Sequence, residues 1–215
     1  MKKFTCYALV VSACLLLVFS GSLFATPITG TIWESDAAAD AAGLNLNAGT
    51  IAGLGSPDAT FNLTGVLNFV TMSGPVTYGS FLGQGGVVNN WAINDLSAVN
   101  MTTSTGHGTI LEFTWTDTVF AGEQITVRHD DGFYLQVGSV NYGAYGNATS
   151  DHTDTFGLTN APGTYTFHLY YSAYNSYPEI LQYSHSASPV PEPASALLLG
   201  SGLIGLVAFG RKLKG

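Results

Sequence analysis

Two carboxylates stand side by side in "RHDDGFYLQVGS", at Asp130 and Asp131, with a glycine directly after them. Oxygen donors gathered in a loop are what a hard cation selects, since Ca²⁺ takes about 6–8 of them, carboxylate and carbonyl alike. The same residues also suit an Asp-Gly hairpin turn between two strands, with Asp130 merely solvated. The D-x-D-x-D-G order of an EF-hand is absent. Catalytic chemistry is harder to assemble. Adjacent carboxylates cannot flank a glycosidic bond, which needs a separation of about 5–9.5 Å across a cleft. The chain has no G-x-S-x-G motif, and its two cysteines, Cys6 and Cys14, stand near the N-terminus. The five histidines are scattered. His129, His152 and Asp154 would form a zinc site only if the fold happened to gather them. Tyr142, Tyr145, Tyr170, Tyr171, Tyr174 and Tyr177 fall near the same loops, and their rings suit either sugar stacking or ordinary packing.

The elements that must position Asp130 and Asp131 read as strands. "GTILEFTWTDTV" places Leu111, Phe113 and Trp115 on one face, against Glu112, Thr114 and Thr116. "EQITVRHD" points Ile125 and Val127 inward, and "GFYLQVGS" does so with Phe133, Leu135 and Val137. "GTYTFHLYYSAY" alternates Tyr165, Phe167, Leu169 and Tyr171 against Thr166, His168 and Tyr170, and "EILQYS" supplies a last short strand. "ATFNLTGVLNFV" offers Phe61, Leu63, Leu67 and Phe69. Turn signals lie between these runs, at Ala121-Gly122, Asp131-Gly132, Gly138-Ser139 and Pro162-Gly163. The pattern predicts an all-β fold, an antiparallel β-sandwich or barrel. Only the Ala-rich stretch from Glu34 to Gly49 departs from it, predicting a helical turn or two that end near Gly43.

Charge bounds the partners. Of the six basic residues only Arg128 lies between Lys3 and Arg211, so Thr26–Pro189 sets one arginine against thirteen carboxylates, a formal charge of −12. Such a body repels phosphate backbones and excludes nucleic acid as a partner, leaving cations, neutral sugars and proteins.

The two ends read as addresses. Residues 1–25 combine Lys2 and Lys3, an apolar run from Tyr7 to Phe19 and Leu23-Phe24-Ala25, the layout of a cleaved signal peptide. Both cysteines fall inside it, so the mature protein would have neither disulfide nor thiol chemistry. After the small, polar linker "SHSASP" come Val190, Pro191, Glu192 and Pro193, an apolar run over 194–209, and Arg211 and Lys212. As a helix that run spans about 24 Å, short of the roughly 20 residues of a permanent span. The prolines bar the helix from extending backward and leave accessible backbone before it. Order, spacing and polarity resemble the PEP-CTERM sorting signal of Gram-negative bacteria. The resemblance implies an exported protein, a transient inner-membrane stage and processing by an exosortase-type enzyme, in species that make exopolysaccharide.

From about Gly108 to Tyr183 the body is similar to the PA14 domain, on the strand ending in Asp-Asp-Gly and the later "GTYTFHLYY" strand. That resemblance implies a β-sandwich of jelly-roll type over 26–185, followed by the linker and sorting signal over 186–215. It also implies a Ca²⁺ held by Asp130 and Asp131 through a cis peptide, with Asn175 and loop carbonyls completing the site. The expected function is a non-catalytic, calcium-dependent glycan-binding module at the cell surface or in an exopolysaccharide matrix. A structural matrix protein without a ligand is the alternative, and an enzyme is the weakest reading. Intact mass measurement of the protein released from cells should find a C-terminus near the PEP motif, without Arg211 and Lys212.

Overall fold

The computed structural model of the chain describes residues 27–34, 37–103, 107–145, 150–174 and 177–186. The expected signal peptide, Asn175 and the sorting residues Val190, Pro191, Glu192, Pro193, Arg211 and Lys212 lie outside the described residues. In chain order the elements are β1 (Ile28–Glu34), α1 (Ala37–Leu44), α2 (Ala48–Ala52), β2 (Ala59–Gly65), β3 (Asn68–Thr71), α3 (Tyr78–Leu82) and β4 (Gly86–Ala92). They continue as β5 (Thr109–Val119), β6 (Gln124–Asp130), β7 (Phe133–Val137), β8 (Val140–Tyr145), β9 (His152–Gly157), β10 (Gly163–Ala173) and β11 (Glu179–His185).

Two antiparallel sheets stack face to face. One has seven strands in the order β4-β2-β1-β5-β10-β7-β8, the other four in the order β3-β11-β6-β9. The long pair β5–β10 is the spine of the larger sheet, in register from Gly163 opposite Val119 to Ala173 opposite Thr109. Alternation turns Leu111, Phe113 and Trp115 of β5 and Phe167, Leu169 and Tyr171 of β10 into the space between the sheets. Ile125 and Val127 from β6, Leu181 from β11 and Phe69 from β3 meet them from the smaller sheet. Phe69 stacks on Phe113 at 5.5 Å between ring centroids, with Phe81 at 5.1 Å from Phe69. Each such side chain contributes about 1.5–3 kcal/mol on burial. Disulfides are not needed to close a core of this size.

The Ala-rich segment does form a helix. α1 and α2 lie on the outer face of the larger sheet, where Ala39, Ala42 and Leu46 close over Trp33, Ile110 and Tyr134. Small alanines let the helix approach the sheet closely. Asn47 caps α2, accepting from the backbone of Gly49 and Thr50. No helix among the described residues is long and apolar enough to cross a membrane, and the 194–209 run lies outside them.

One expectation is corrected by the topology. β6 belongs to the four-stranded sheet and β7 to the seven-stranded one, so Asp130-Asp131-Gly132 is not a hairpin turn. The chain leaves one layer there and enters the other.

Gly30 of β1 lies opposite Phe61 and Phe113, and the Phe61 ring rests on it: an added Cβ would stand 2.0 Å from Phe61 Cζ. Overpacking of this kind costs about 1–3 kcal/mol. Gly30→Ala should therefore lower the melting temperature by several degrees, while Thr29→Ala, on the exposed side of the same strand, leaves it nearly unchanged.

Candidate cation site at one end of the sandwich

Two crossings between the layers meet at one end of the sandwich. The first is Asp130-Asp131-Gly132, from β6 to β7; the second runs from Tyr174 to Pro178, joining β10 to β11. Their proximity follows from pairing, because β11 starts beside the end of β6, with Ile180 opposite Asp130, and β7 starts beside the end of β10, with Phe133 opposite Tyr171. Each crossing contains one cis peptide, Asp130–Asp131 in the first and Tyr177–Pro178 in the second. Three hydrogen bonds bind the first crossing to β10 and the residue after it. The Ser172 N–H donates to Gly132 O at 2.9 Å, the Tyr174 N–H to Asp131 Oδ2 at 2.7 Å, and the Tyr171 hydroxyl to Asp130 O.

The carboxylates here are buried. Asp130 is 3% exposed, Asp131 0%, and a third acid, Glu179 at the start of β11, is also 0% exposed. Burial, followed by the charge of Asp131, pushes the Asp130 carboxyl up to about 6. Burial also pushes the Glu179 carboxyl up to about 9, with the charges of Asp131 and Asp130 adding to it. Both shifts share a leading cause, the loss of water around the charged form, and repulsion between the neighbouring carboxylates adds to it. Among the described residues no ion pair reaches Asp130 or Glu179. Arg128, two residues along β6, is engaged elsewhere, donating to both Asp151 carboxylate oxygens at 2.8 and 2.6 Å and to Gln182 at 2.9 Å.

This donor set fits a hard cation. The Asp130–Asp131 pair is all oxygen and desolvated, and Asp130 has no ion-pair partner among the described residues. It is also incomplete by itself, since no three described His, Cys, Asp or Glu side chains surround a common metal position. The second crossing lies against the pair. There the structure places Tyr174, the residue before Asn175, directly on Asp131.

His129, His152 and Asp154 do come together, across the β6–β9 pair. His129 Nε2 lies 2.8 Å from Asp154 Oδ2, and His152 Nε2 lies 3.5 Å from Asp154 Oδ1. The other His129 ring nitrogen donates to the Asp131 carbonyl. With both nitrogens engaged, His129 buttresses the Asp131 backbone and is not placed as a zinc ligand. The tyrosines divide similarly. Tyr142, Tyr171 and Tyr174 are buried, and Tyr177 accepts from the Val76 N–H at 3.0 Å, so packing and hydrogen bonding occupy them. On the outer face of the smaller sheet, where alternation also places Asp130, a groove of about 410 Å³ runs past Asn68, Thr126, Arg128, Thr153 and Gln182.

Comparison with known proteins agrees with both ends of this picture. Residues 189–212 match the PEP-CTERM protein-sorting motif. The body superposes on the PA14 domain of the antifreeze protein MpAFP with a TM-score of 0.53 at 17% identity, covering 79% of this chain and 86% of that one. The chain carries a PEP-CTERM sorting motif behind a body with a PA14-like fold. Weaker overlaps include a PA14 sugar-binding domain from an RTX adhesin, with a TM-score of 0.48 at 19% identity over 75% of this chain and 89% of that one. A β-glucosidase from Kluyveromyces marxianus in complex with glucose overlaps with a TM-score of 0.40 at 8% identity, over 75% of this chain and 17% of its own. No curated protein matches the sequence. The PEP-CTERM motif marks the protein as exported and sorted to the cell surface, with processing by an exosortase.

Glu179 predicts the pH response of the protein without added metal. A carboxyl raised in the folded state stabilises the fold fully below its unfolded value, and that contribution is lost as pH rises from about 4.5 to about 9. Glu179→Gln keeps the shape and cannot ionise. Its melting temperature should match the wild type in acid and exceed it increasingly toward pH 9.

Proposed function

We propose that the PA14-like body is a non-catalytic, calcium-dependent glycan-binding module, displayed at the cell surface or in an exopolysaccharide matrix. One observation carries the reading: two adjacent carboxylates, Asp130 and Asp131, buried where the chain changes sheets and braced by Tyr174. A divalent cation there offsets the repulsion between the buried acids, and Asn175 with carbonyls of the second crossing completes its coordination. A cation with open coordination positions takes sugar hydroxyls directly, since these are the same hard oxygen donors. The groove on the same sheet offers hydroxyl and amide groups from Thr126, Thr153, Asn68 and Gln182 beside the guanidinium of Arg128, a mixture that suits a sugar chain. A body charge of −12 favours cation uptake and disfavours polyanions.

Chemistry at the site needs no protein nucleophile in this reading. Asp130 and Asp131 hold the ion, His129 and Tyr171 hold their backbone carbonyls, and binding is the outcome. The structural alternative, a matrix spacer with no ligand, differs in one respect: its acidic pair would hold no ion.

Calcium titration by calorimetry and thermal melting of the full chain in detergent separates the two. The wild type should bind Ca²⁺ and gain stability by mass action, about 2.7 kcal/mol at a hundredfold excess over Kd. Asp131→Ala should bind none, with its far-ultraviolet circular dichroism unchanged. Glycan-array binding that disappears on chelation completes the reading. Stabilisation by Ca²⁺ that survives in Asp130→Ala/Asp131→Ala would place the ion elsewhere, and no stabilisation at all would leave the spacer.

A further inference from the structure

The Tyr171 hydroxyl lies between two oxygens, the Asp130 carbonyl and Glu179 Oε2, the latter at 2.8 Å. A phenol has one hydrogen, and a carbonyl oxygen only accepts. If the hydroxyl donates to Asp130, its contact with Glu179 is a hydrogen bond only when Glu179 is the donor. An ionised carboxylate has nothing to give, so the geometry calls for a protonated one. We propose that Glu179 is a positioning residue which donates to Tyr171, so that Tyr171 donates to the Asp130 carbonyl and fixes the Asp130–Asp131 peptide for cation binding.

The surroundings agree. Tyr171 and Glu179 are both fully buried, so water does not substitute for either partner. Burial also raises the Glu179 carboxyl above the usual carboxylate range, which keeps its proton in place. Tyr171 is raised as well, so the link remains a neutral hydroxyl. The relay spans the two sheets: Tyr171 stands on β10 in the larger, Glu179 on β11 and Asp130 on β6 in the smaller. It reaches the Asp130–Asp131 peptide at the Asp130 carbonyl, while His129 holds the next carbonyl, that of Asp131. Successive carbonyls of the pair are thus each held by a donor, His129 for one and Tyr171 for the other.

The role in cation binding rests on the function proposed above; the proton on Glu179 does not. Infrared spectra of the metal-free full chain in detergent near neutral pH should show the carbonyl stretch of a buried carboxylic acid. That band should vanish in Glu179→Gln and shift in Tyr171→Phe. Its absence from the wild type, or its persistence in Glu179→Gln, overturns the relay. Calcium titration then tests positioning. Glu179→Gln retains an amide donor and should keep the wild-type affinity, whereas Glu179→Leu and Tyr171→Phe should weaken it about tenfold, the effect of one lost buried hydrogen bond. If Glu179→Leu does not fold, the contrast between Glu179→Gln and Tyr171→Phe decides alone. Affinity equal to the wild type in Tyr171→Phe, or lost equally in Glu179→Gln, overturns the positioning role. A wild type that binds no Ca²⁺ overturns the positioning role together with the reading it rests on, while the infrared band still decides the relay.

Discussion

Three acids, Asp130, Asp131 and Glu179, are withdrawn from water at the end of the sandwich where the chain twice changes layers. Burying a charge without compensation costs several kcal/mol, and burying like charges together costs more. The local structure is organised around that cost. The Tyr174 N–H meets one Asp131 oxygen, the proposed proton on Glu179 removes one charge, and the proposed cation would balance the remaining two. The same contacts hold the first crossing against the second, so electrostatic compensation and chain topology are one problem at this end. Altering Asp131 would loosen this local contact between the crossings as well as any ligand, while leaving the strands in place.

Stiffness reaches the site from the spine. β5 and β10 pair along their whole length, and Tyr171 and Ser172, near the end of β10, are the residues that grip Asp130 and Gly132. From the other layer, Asp154 on β9 orients His129, and His129 holds the Asp131 carbonyl. Donors projecting from strands vary little in position, whereas donors on loops must be ordered first. The arrangement thus sets two backbone carbonyls and two carboxylates in place before anything binds.

Much of the core was legible in alternation alone. Phe61, Leu63, Leu67, Phe69, Leu111, Phe113, Ile125, Val127, Phe133, Leu135, Val137, Phe167, Leu169 and Tyr171 all turn inward as the period of two requires. The same period cannot say to which layer a strand belongs, because both layers face a shared interior. That is why Asp131-Gly132 read as a hairpin when it is a crossing. Edge strands were hidden for another reason: β4, "GVVNNWA", is largely exposed, and "HTDTFG" of β9 is mostly polar, so neither shows a buried stripe. Glu179 gave no local signal, being one acid after a proline. Its character comes from Tyr171 and the aspartates, which only the fold brings near. The adjacency of Asp130 and Asp131, by contrast, is written in the chain. The gathering of His129, His152 and Asp154 depends on the β6–β9 register and could not be read beforehand.

Arg128 has a consequence beyond its hydrogen bonds. It is the only lysine or arginine between Lys3 and Arg211, and it sits inside β6 with its guanidinium closed onto Asp151 and Gln182. A protease that cuts after basic residues needs an extended, accessible stretch around such a side chain, and the folded body has none to present. Even unfolded, it could be cut at one internal bond only. The body likewise carries no lysine amine for aldehydes or isopeptide-forming enzymes to attack. A surface protein of this composition withstands trypsin-like enzymes and amine-directed cross-linking through what it lacks, without any added stability.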